Sequence, residues 1–327
     1  MTRRATLVAV GATVALCAIV VSSCTDGPDP MAADPGADTT INPDAAQSGH
    51  MSLTTMAPAG AAAPSRHLGP QGRVGQFVIE CGHSHTAPDD PIVFPDQPGM
   101  SHSHEFFGND GADAFSTLDS LLEDGTTCQN KKDTASYWVP TLLDDGEPVE
   151  PSLGTAYYRA APGVEPTDVE AYPPGMKMIA GDMTLAEPGP LDTAGWACGV
   201  STRLWPEPPN CPTSAPLRGV ITFQDCWDGE RVDSPDHRSH VANSERGACP
   251  SSHPVHIPQL TFAVSYPVSG TEHDLALASG SVHGLHSDFF NAWDQDELVE
   301  RVELCLHRDA VCGLSSNRSE EPLFSGG

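Results

Sequence analysis

The sequence predicts a β-rich domain, all-β or β-rich α+β, built as an antiparallel, jelly-roll-like β-sandwich with one or two peripheral helices. Three observations predict it. Short runs rich in aromatic and β-branched residues recur along the chain. The 31 prolines interrupt the sequence too often for long helices. Eight cysteines follow residue 80, and an even number in an exported chain reads as a set of disulfide staples.

The expected strands are Gln76–Glu80, Ser136–Leu142, Thr155–Arg159, Lys177–Ala180, Gly219–Phe223 and Leu260–Tyr266. One helix is signalled by Asp294 as cap and Glu297 three residues on, a capping-box spacing. Leu298, Val299, Val302, Cys305 and Leu306 follow at helical spacing. A second, short helix is expected near Ser116, through Leu118, Leu121 and Leu122. Spacing leaves 105 pairings open for eight cysteines. Neighbour pairing is the expectation: Cys81 with Cys128, Cys198 with Cys211, Cys226 with Cys249, and Cys305 with Cys312.

The N-terminus reads as an export signal. Arg3 and Arg4 precede a charge-free apolar run, Ala5 to Val21, and small residues then lead into Cys24. This is the pattern of a lipoprotein signal peptide, so residues 1–23 are expected to be removed and Cys24 to carry the lipid. Residues 24–66 are rich in Asp, Pro, Ala, Gly, Ser and Thr, a composition that cannot bury enough apolar surface to fold. They are expected to tether a single domain, 67–327, to the outer face of the cell membrane. The net charge is −28, with three lysines, Lys131, Lys132 and Lys177. That balance excludes nucleic-acid binding, which needs a basic surface.

Histidine carries the chemical signal. Ten histidines fall in five tight pairs: His83/His85, His102/His104, His237/His240, His253/His256 and His283/His286. The first two pairs have i, i+2 spacing, which on a strand places both imidazoles on one face. The other three are expected on loops or strand ends. Asp236 precedes His237 and Asp288 follows His286 by two, and a carboxylate commonly orients a ligating or proton-transferring imidazole. One shared site is therefore expected. His240 and His286 are the candidate general bases, with Asp236 and Asp288 as the carboxylates that orient them. His102, His104 and His253 are the candidate metal ligands. Imidazoles around a point suit Zn or Cu, and a carboxylate-rich centre would suit Ca. Trp138 and Trp227 are candidate platforms for sugar rings.

Six ordered blocks resemble a known domain family of unknown function, common in secreted fungal proteins and present in actinobacteria. In fungi it sometimes sits beside WSC-type sugar-binding domains. The blocks are Asp90 to Val93 with Ser101 to His104 and Gly108-Asn109; Ser136 to Pro140; Cys226 to Gly229; Asp233 to Ala242; Cys249 to Leu260; and Gly284 to Asp294. They span about residues 76 to 307. The family pattern covers His102, His104, Asp236, His237, His240, His253, His286 and Asp288. His256 stands where members often carry Arg, which implies a cationic substrate contact rather than a metal ligand. Asn291, inside the last block, is a further candidate substrate contact. The functional expectation is a cell-surface hydrolase or lyase acting on a cell-wall or environmental polysaccharide. A non-catalytic glycan-binding module and an envelope Cu/Zn-binding protein are the alternatives.

Overall fold

The structure, a computed structural model, describes residues 75–313 together with the backbone pairing of Leu68–Gly69 with Gly72–Arg73. The expected signal peptide, Cys24 and the whole of the expected tether, residues 24–66, lie outside the described residues. Two antiparallel sheets form the body of the domain. Numbering the main strands in chain order, these are β1 (Gln76–Cys81), β2 (His83–Ala87), β3 (His104–Gly108), β4 (Ser136–Pro140), β5 (Leu153–Arg159), β6 (Lys177–Gly181), β7 (Ala194–Cys198), β8 (Leu217–Thr222), β9 (Gln259–Ser265), β10 (His286–Phe290) and β11 (Val311–Cys312). The five-stranded sheet has the order β6-β10-β4-β3-β2, and the six-stranded sheet the order β7-β8-β9-β5-β1-β11. Every pairing is antiparallel except that of β1 with β11.

All six expected strands form, with ends moved by one or two residues. The run from Ser136 to Leu142 breaks at Thr141, because Thr141 turns away from the ladder. Its N–H donates to the Ser103 carbonyl at 2.9 Å and its hydroxyl to Glu105 at 2.8 Å. Residues 142–144 then start a small separate sheet.

The sheets pack face to face through large aromatics. Tyr137 of β4 stacks on Phe262 of β9 at 5.1 Å, and Phe107 of β3 meets the same ring edge-on at 5.5 Å. Gly154 of β5 permits this approach, since a Cβ there would lie 2.7 Å from Phe262 Cζ and 2.9 Å from Phe107 Cδ1. The outer face of the five-stranded sheet carries a second, smaller core. Phe106, Trp138, Ile179 and Phe290 project there, and Ile92, Ala112 and Leu121 cover them from the segment between β2 and β4.

Both helices are short. α1 (Leu118–Glu123) is capped by Thr117, whose hydroxyl accepts from Ser120 N–H. α2 (Gln295–Arg301) is capped by Asp294 and runs into a π-turn over Val302–Leu306. Only half of the expected capping box forms. The Asp294 carboxylate accepts from Glu297 N–H at 3.2 Å, but the Glu297 carboxylate instead pairs with Arg301 and accepts from Asn130. Val299, expected on the buried stripe, is exposed.

The four disulfides join the expected neighbours: Cys81–Cys128, Cys198–Cys211, Cys226–Cys249 and Cys305–Cys312. Cys81–Cys128 ties the end of β1 to the segment that covers the outer face.

A buried polar chain crosses the main core. The Tyr137 hydroxyl donates to Asp133 Oδ2 at 2.9 Å and is hydrogen-bonded to the Tyr158 hydroxyl, which also accepts from Trp293 Nε1–H. Burial lifts the Asp133 carboxyl to about 8. Its unfolded value is near 3.8, so between the two the folded protein keeps a proton that the unfolded chain has lost. Stability from this group is present below about pH 4 and falls as pH rises through 8. Asp133→Asn stays neutral throughout. Urea unfolding of the disulfide-intact protein at pH 5 and pH 8 is expected to show the wild type losing up to about 4 kcal/mol that the variant keeps. Equal losses in the two proteins would assign the pH response to other groups.

Candidate metal centre

One end of the outer face of the five-stranded sheet gathers three histidines. Cross-strand partners share a face, and His104 of β3 pairs with Pro140 of β4. On the other side of β4, Asp288 of β10 pairs with Trp138, which brings His286, two residues back, level with Pro140. His104 and His286 therefore flank Pro140 on the same face. His102, just before β3, closes the group. Its ring centroid lies 4.2 Å from that of His104 and 5.2 Å from that of His286. One ring nitrogen from each of the three lies within 4.8 Å of the others.

Backbone carbonyls fix two of the tautomers. His104 Nδ1–H donates to the Asp89 carbonyl at 2.9 Å, and His286 Nδ1–H donates to the Gly284 carbonyl at 2.8 Å. Each ring then keeps its lone pair on Nε2, as outer-shell partners arrange for a metal ligand. The loop that supplies the first carbonyl is itself held down. The Asp89 carboxylate accepts from Gly99 N–H at 2.8 Å and Ala114 N–H at 3.4 Å. Opposite His286, Gly181 has φ +85°, and a Cβ there would lie 2.4 Å from the Leu285 carbonyl oxygen. Only glycine lets β6 approach at this point.

The electrostatics leave all three rings neutral. His104 is fully buried, and burial, followed by the charges on His102 and His286, holds it well below the usual imidazole range. Burial brings His286 down to about 4 and also lowers His102. Neutral imidazole is the form that binds a metal.

Buried polar atoms with no hydrogen-bond partner in the protein concentrate on this face. His102 Nε2, His104 Nε2, Ser136 Oγ, Trp138 Nε1 and Asp288 Oδ2 account for five of the twelve among the described residues. Buried polar atoms are rarely left unmatched, and His102 Nε2 and His104 Nε2 lie within the trio, so those two mark a place built to meet a ligand. Asp288 lies within the sheet two residues from His286. Burial, then the charge on Asp90, raises its carboxyl well above the usual range.

The expected single cleft is only partly assembled. His102, His104 and His286 converge, and His286 takes the place expected for His253. His253 lies elsewhere, with Nε2–H donating to the Ser239 carbonyl at 3.2 Å. His240 is buried with both ring nitrogens engaged: Nε2 lies 2.7 Å from the Lys177 carbonyl oxygen and Nδ1 lies 2.9 Å from Ser234 Oγ. It is poorly placed as a general base. Asp236 does not touch the His240 ring. Its Oδ1 accepts from Ser234 Oγ and from the N–H groups of Arg238 and Ser239, which cap the turn and lower its pKa.

The candidate sugar contacts are also structural in their geometry. Trp138 is fully buried and stacks on Phe106 at 5.5 Å. Trp227 is half-buried, with Nε1–H donating to the Arg231 carbonyl. Asn291 is buried and donates to the Pro173 carbonyl at 2.8 Å. His256 Nδ1 lies 3.1 Å from Cys249 Sγ, beside the Cys226–Cys249 bond. That cluster and the one formed by Cys81, Cys128 and Asp133 spend their sulfurs in disulfides, so they offer no thiolate to a metal.

His83 and His85 correct the i, i+2 expectation. A bulge shifts the register between them, so His83 pairs with Phe107 and His85 with Phe106. The two rings consequently serve opposite faces. His83 Nε2 lies 2.6 Å from Glu105, while His85 stacks on Phe106 at 4.7 Å.

Sequence reasoning missed the carbonyls of Asp89 and Gly284, whose role leaves no side-chain signature.

Residues 90–293 match the family model of a domain of unknown function, DUF1996. No curated protein and no solved structure matches the chain.

Proposed function

The chain belongs to the DUF1996 family, and from its site we propose that it is an exported, lipid-anchored envelope protein that binds one zinc or copper ion through His102, His104 and His286. The observation that carries this reading is the trio itself: three neutral imidazoles, those of His104 and His286 aimed by backbone carbonyls, with the buried Nε2 atoms of His102 and His104 left unmatched. Three imidazoles around a point suit zinc or copper better than calcium, which prefers oxygen ligands. Four disulfides support an oxidising compartment, and the lipoprotein signal supports anchoring through Cys24.

Chelator-free protein, dialysed against zinc or copper, is expected to retain one equivalent by elemental analysis. A variant with Ala at all three histidines should retain none. Wild-type protein that leaves dialysis metal-free would overturn the proposal. Mass spectrometry of the native protein tests anchoring, with a diacylglyceryl-modified Cys24 expected at the mature N-terminus and an intact signal contradicting it.

A second reading is metal-assisted cleavage of an envelope or environmental polysaccharide. Asp288, a buried carboxyl two residues from His286 whose Oδ2 has no hydrogen-bond partner in the protein, favours it. Release of oligosaccharides from a glycan panel, lost in Asp288→Asn, would support it. No release with zinc or copper bound would leave metal binding as the function.

A further inference from the structure

Asp236, His237 and His240 lie in the block Asp233 to Ala242, and none of them belongs to the trio. They fix a turn instead. The Asp236 carboxylate accepts from the Arg238 and Ser239 N–H groups and from the Ser234 hydroxyl. His237 N–H donates to the Ser234 carbonyl at 2.8 Å, and its ring is held 2.9 Å from Asp233 Oδ1. His240 Nε2 lies 2.7 Å from the Lys177 carbonyl oxygen, and Lys177 N–H donates to the Val232 carbonyl at 2.8 Å. The turn is thus pinned to β6 on both sides. His237 has φ +55°, a left-handed backbone uncommon outside glycine. Such a conformation persists where the surroundings over-determine it, and it concentrates at functional sites.

What this turn presents is Arg238. Its side chain is exposed and forms no ion pair among the described residues. Arg238 Nη1 reaches the Ile179 carbonyl oxygen at 3.5 Å, and Ile179 is the cross-strand partner of Asp288, two residues from His286. The guanidinium charge acts on both the His286 ring and the Asp288 carboxyl. It acts on Asp182 as well, but Asp182 Oδ1 accepts from the Thr184 N–H at 2.9 Å and the Thr184 hydroxyl at 2.7 Å instead of pairing with Arg238.

An ion held by three neutral imidazoles keeps its full charge and leaves a fourth position to an outside ligand. Arg238 adds a second positive charge nearby, so an anion is favoured there over a neutral group. A guanidinium fork matches the two oxygens of a carboxylate. In a chain of net charge −28, a singly charged carboxylate is repelled less than a doubly charged phosphate.

We propose that the site takes a carboxylate-bearing ligand, a uronate sugar in the polysaccharide reading, whose carboxylate is shared between the bound ion and the Arg238 guanidinium. This rests on the metal-binding reading above. Asp236, His237 and His240 are positioning residues for Arg238.

The test uses the exported protein loaded with zinc, with Arg238→Gln and Arg238→Lys variants. D-Glucuronate, D-glucose and inorganic phosphate are titrated by calorimetry, and zinc affinity is measured in parallel. The wild type is expected to bind glucuronate more tightly than phosphate, and more tightly than glucose, which has the same ring without the carboxylate. Arg238→Gln should bind glucuronate roughly 10-fold or more weakly, with Arg238→Lys between the two. Because a positive charge beside the ion is removed, Arg238→Gln should hold zinc at least as tightly as the wild type, which a collapsed site would not do. Three results would each overturn this inference and leave the histidine site standing: equal glucuronate affinities in wild type and Arg238→Gln, wild type binding glucose or phosphate as tightly as glucuronate, or loss of zinc together with glucuronate in the variant. Wild-type protein that retains no zinc would overturn both.

Discussion

Replacing His104 with Gln is expected to cost at least about 100-fold in zinc or copper affinity, because even partners one shell further out are worth 10–100-fold. His104 is the most buried of the three proposed ligands, and its Nδ1–H is already committed to the Asp89 carbonyl. A Gln amide can retain a donor there without offering an imidazole lone pair. The metal-free variant should remain folded, and the gain in melting temperature that metal gives the wild type should disappear. For scale, a ligand at 100 times its Kd stabilises the folded state by about 2.7 kcal/mol. Isothermal titration and thermal melts with and without metal check this. A variant that binds as tightly as wild type would show that His104 is only a core histidine.

The second large effect is on stability. Cys81 and Cys128 are both fully buried and close a loop with a sequence separation of 47. In the chain-entropy account, a loop of that size contributes about 4 kcal/mol. Cys81→Ala/Cys128→Ala should lose an amount of this order in urea unfolding. The loss should exceed that from removing Cys305–Cys312, whose separation is only 7. The bond also pins the cover of the outer face, through Thr127, whose hydroxyl donates to the Gly82 carbonyl at 2.7 Å. The double variant should therefore bind metal more weakly as well. A stability change smaller than that of the Cys305–Cys312 variant would contradict the loop-entropy account.

Much of the fold was legible because its signals are local. Strands such as Gln259–Ser265 announce themselves by aromatic and β-branched content, and Asp294 announces the start of α2. Two central strands were less legible. His104–Gly108 and His286–Phe290 are buried at every position. A strand covered on both faces shows no alternation, and the histidines at their heads draw attention to chemistry instead. Neighbour pairing of the cysteines held, each bond tying a strand residue (Cys81, Cys198, Cys226 or Cys312) to a cysteine outside the strands.

The site was legible as a set of residue types and much less so as a place. Which histidines meet depends on strand order. β10 lies two strands from β3, so His286 joins the His102/His104 pair across Pro140, and no spacing along the chain encodes that neighbour. The bulge between His83 and His85 is equally silent in sequence, yet it sends one ring to Glu105 and the other to Phe106. His240 and His253 carry the same kind of motif as the ligands. They differ only in that carbonyls and hydroxyls of the fold have already claimed their ring nitrogens.

The central claim is that His102, His104 and His286 hold one metal ion. The most direct measurement is an anomalous difference map from crystals grown with zinc or copper, collected on either side of the metal's absorption edge. The account predicts one strong peak per chain, placed among the three rings at a distance of about 2.0–2.1 Å from a nitrogen of each. A map in which the metal sits elsewhere, or in which the trio shows no peak at saturating metal, would contradict it.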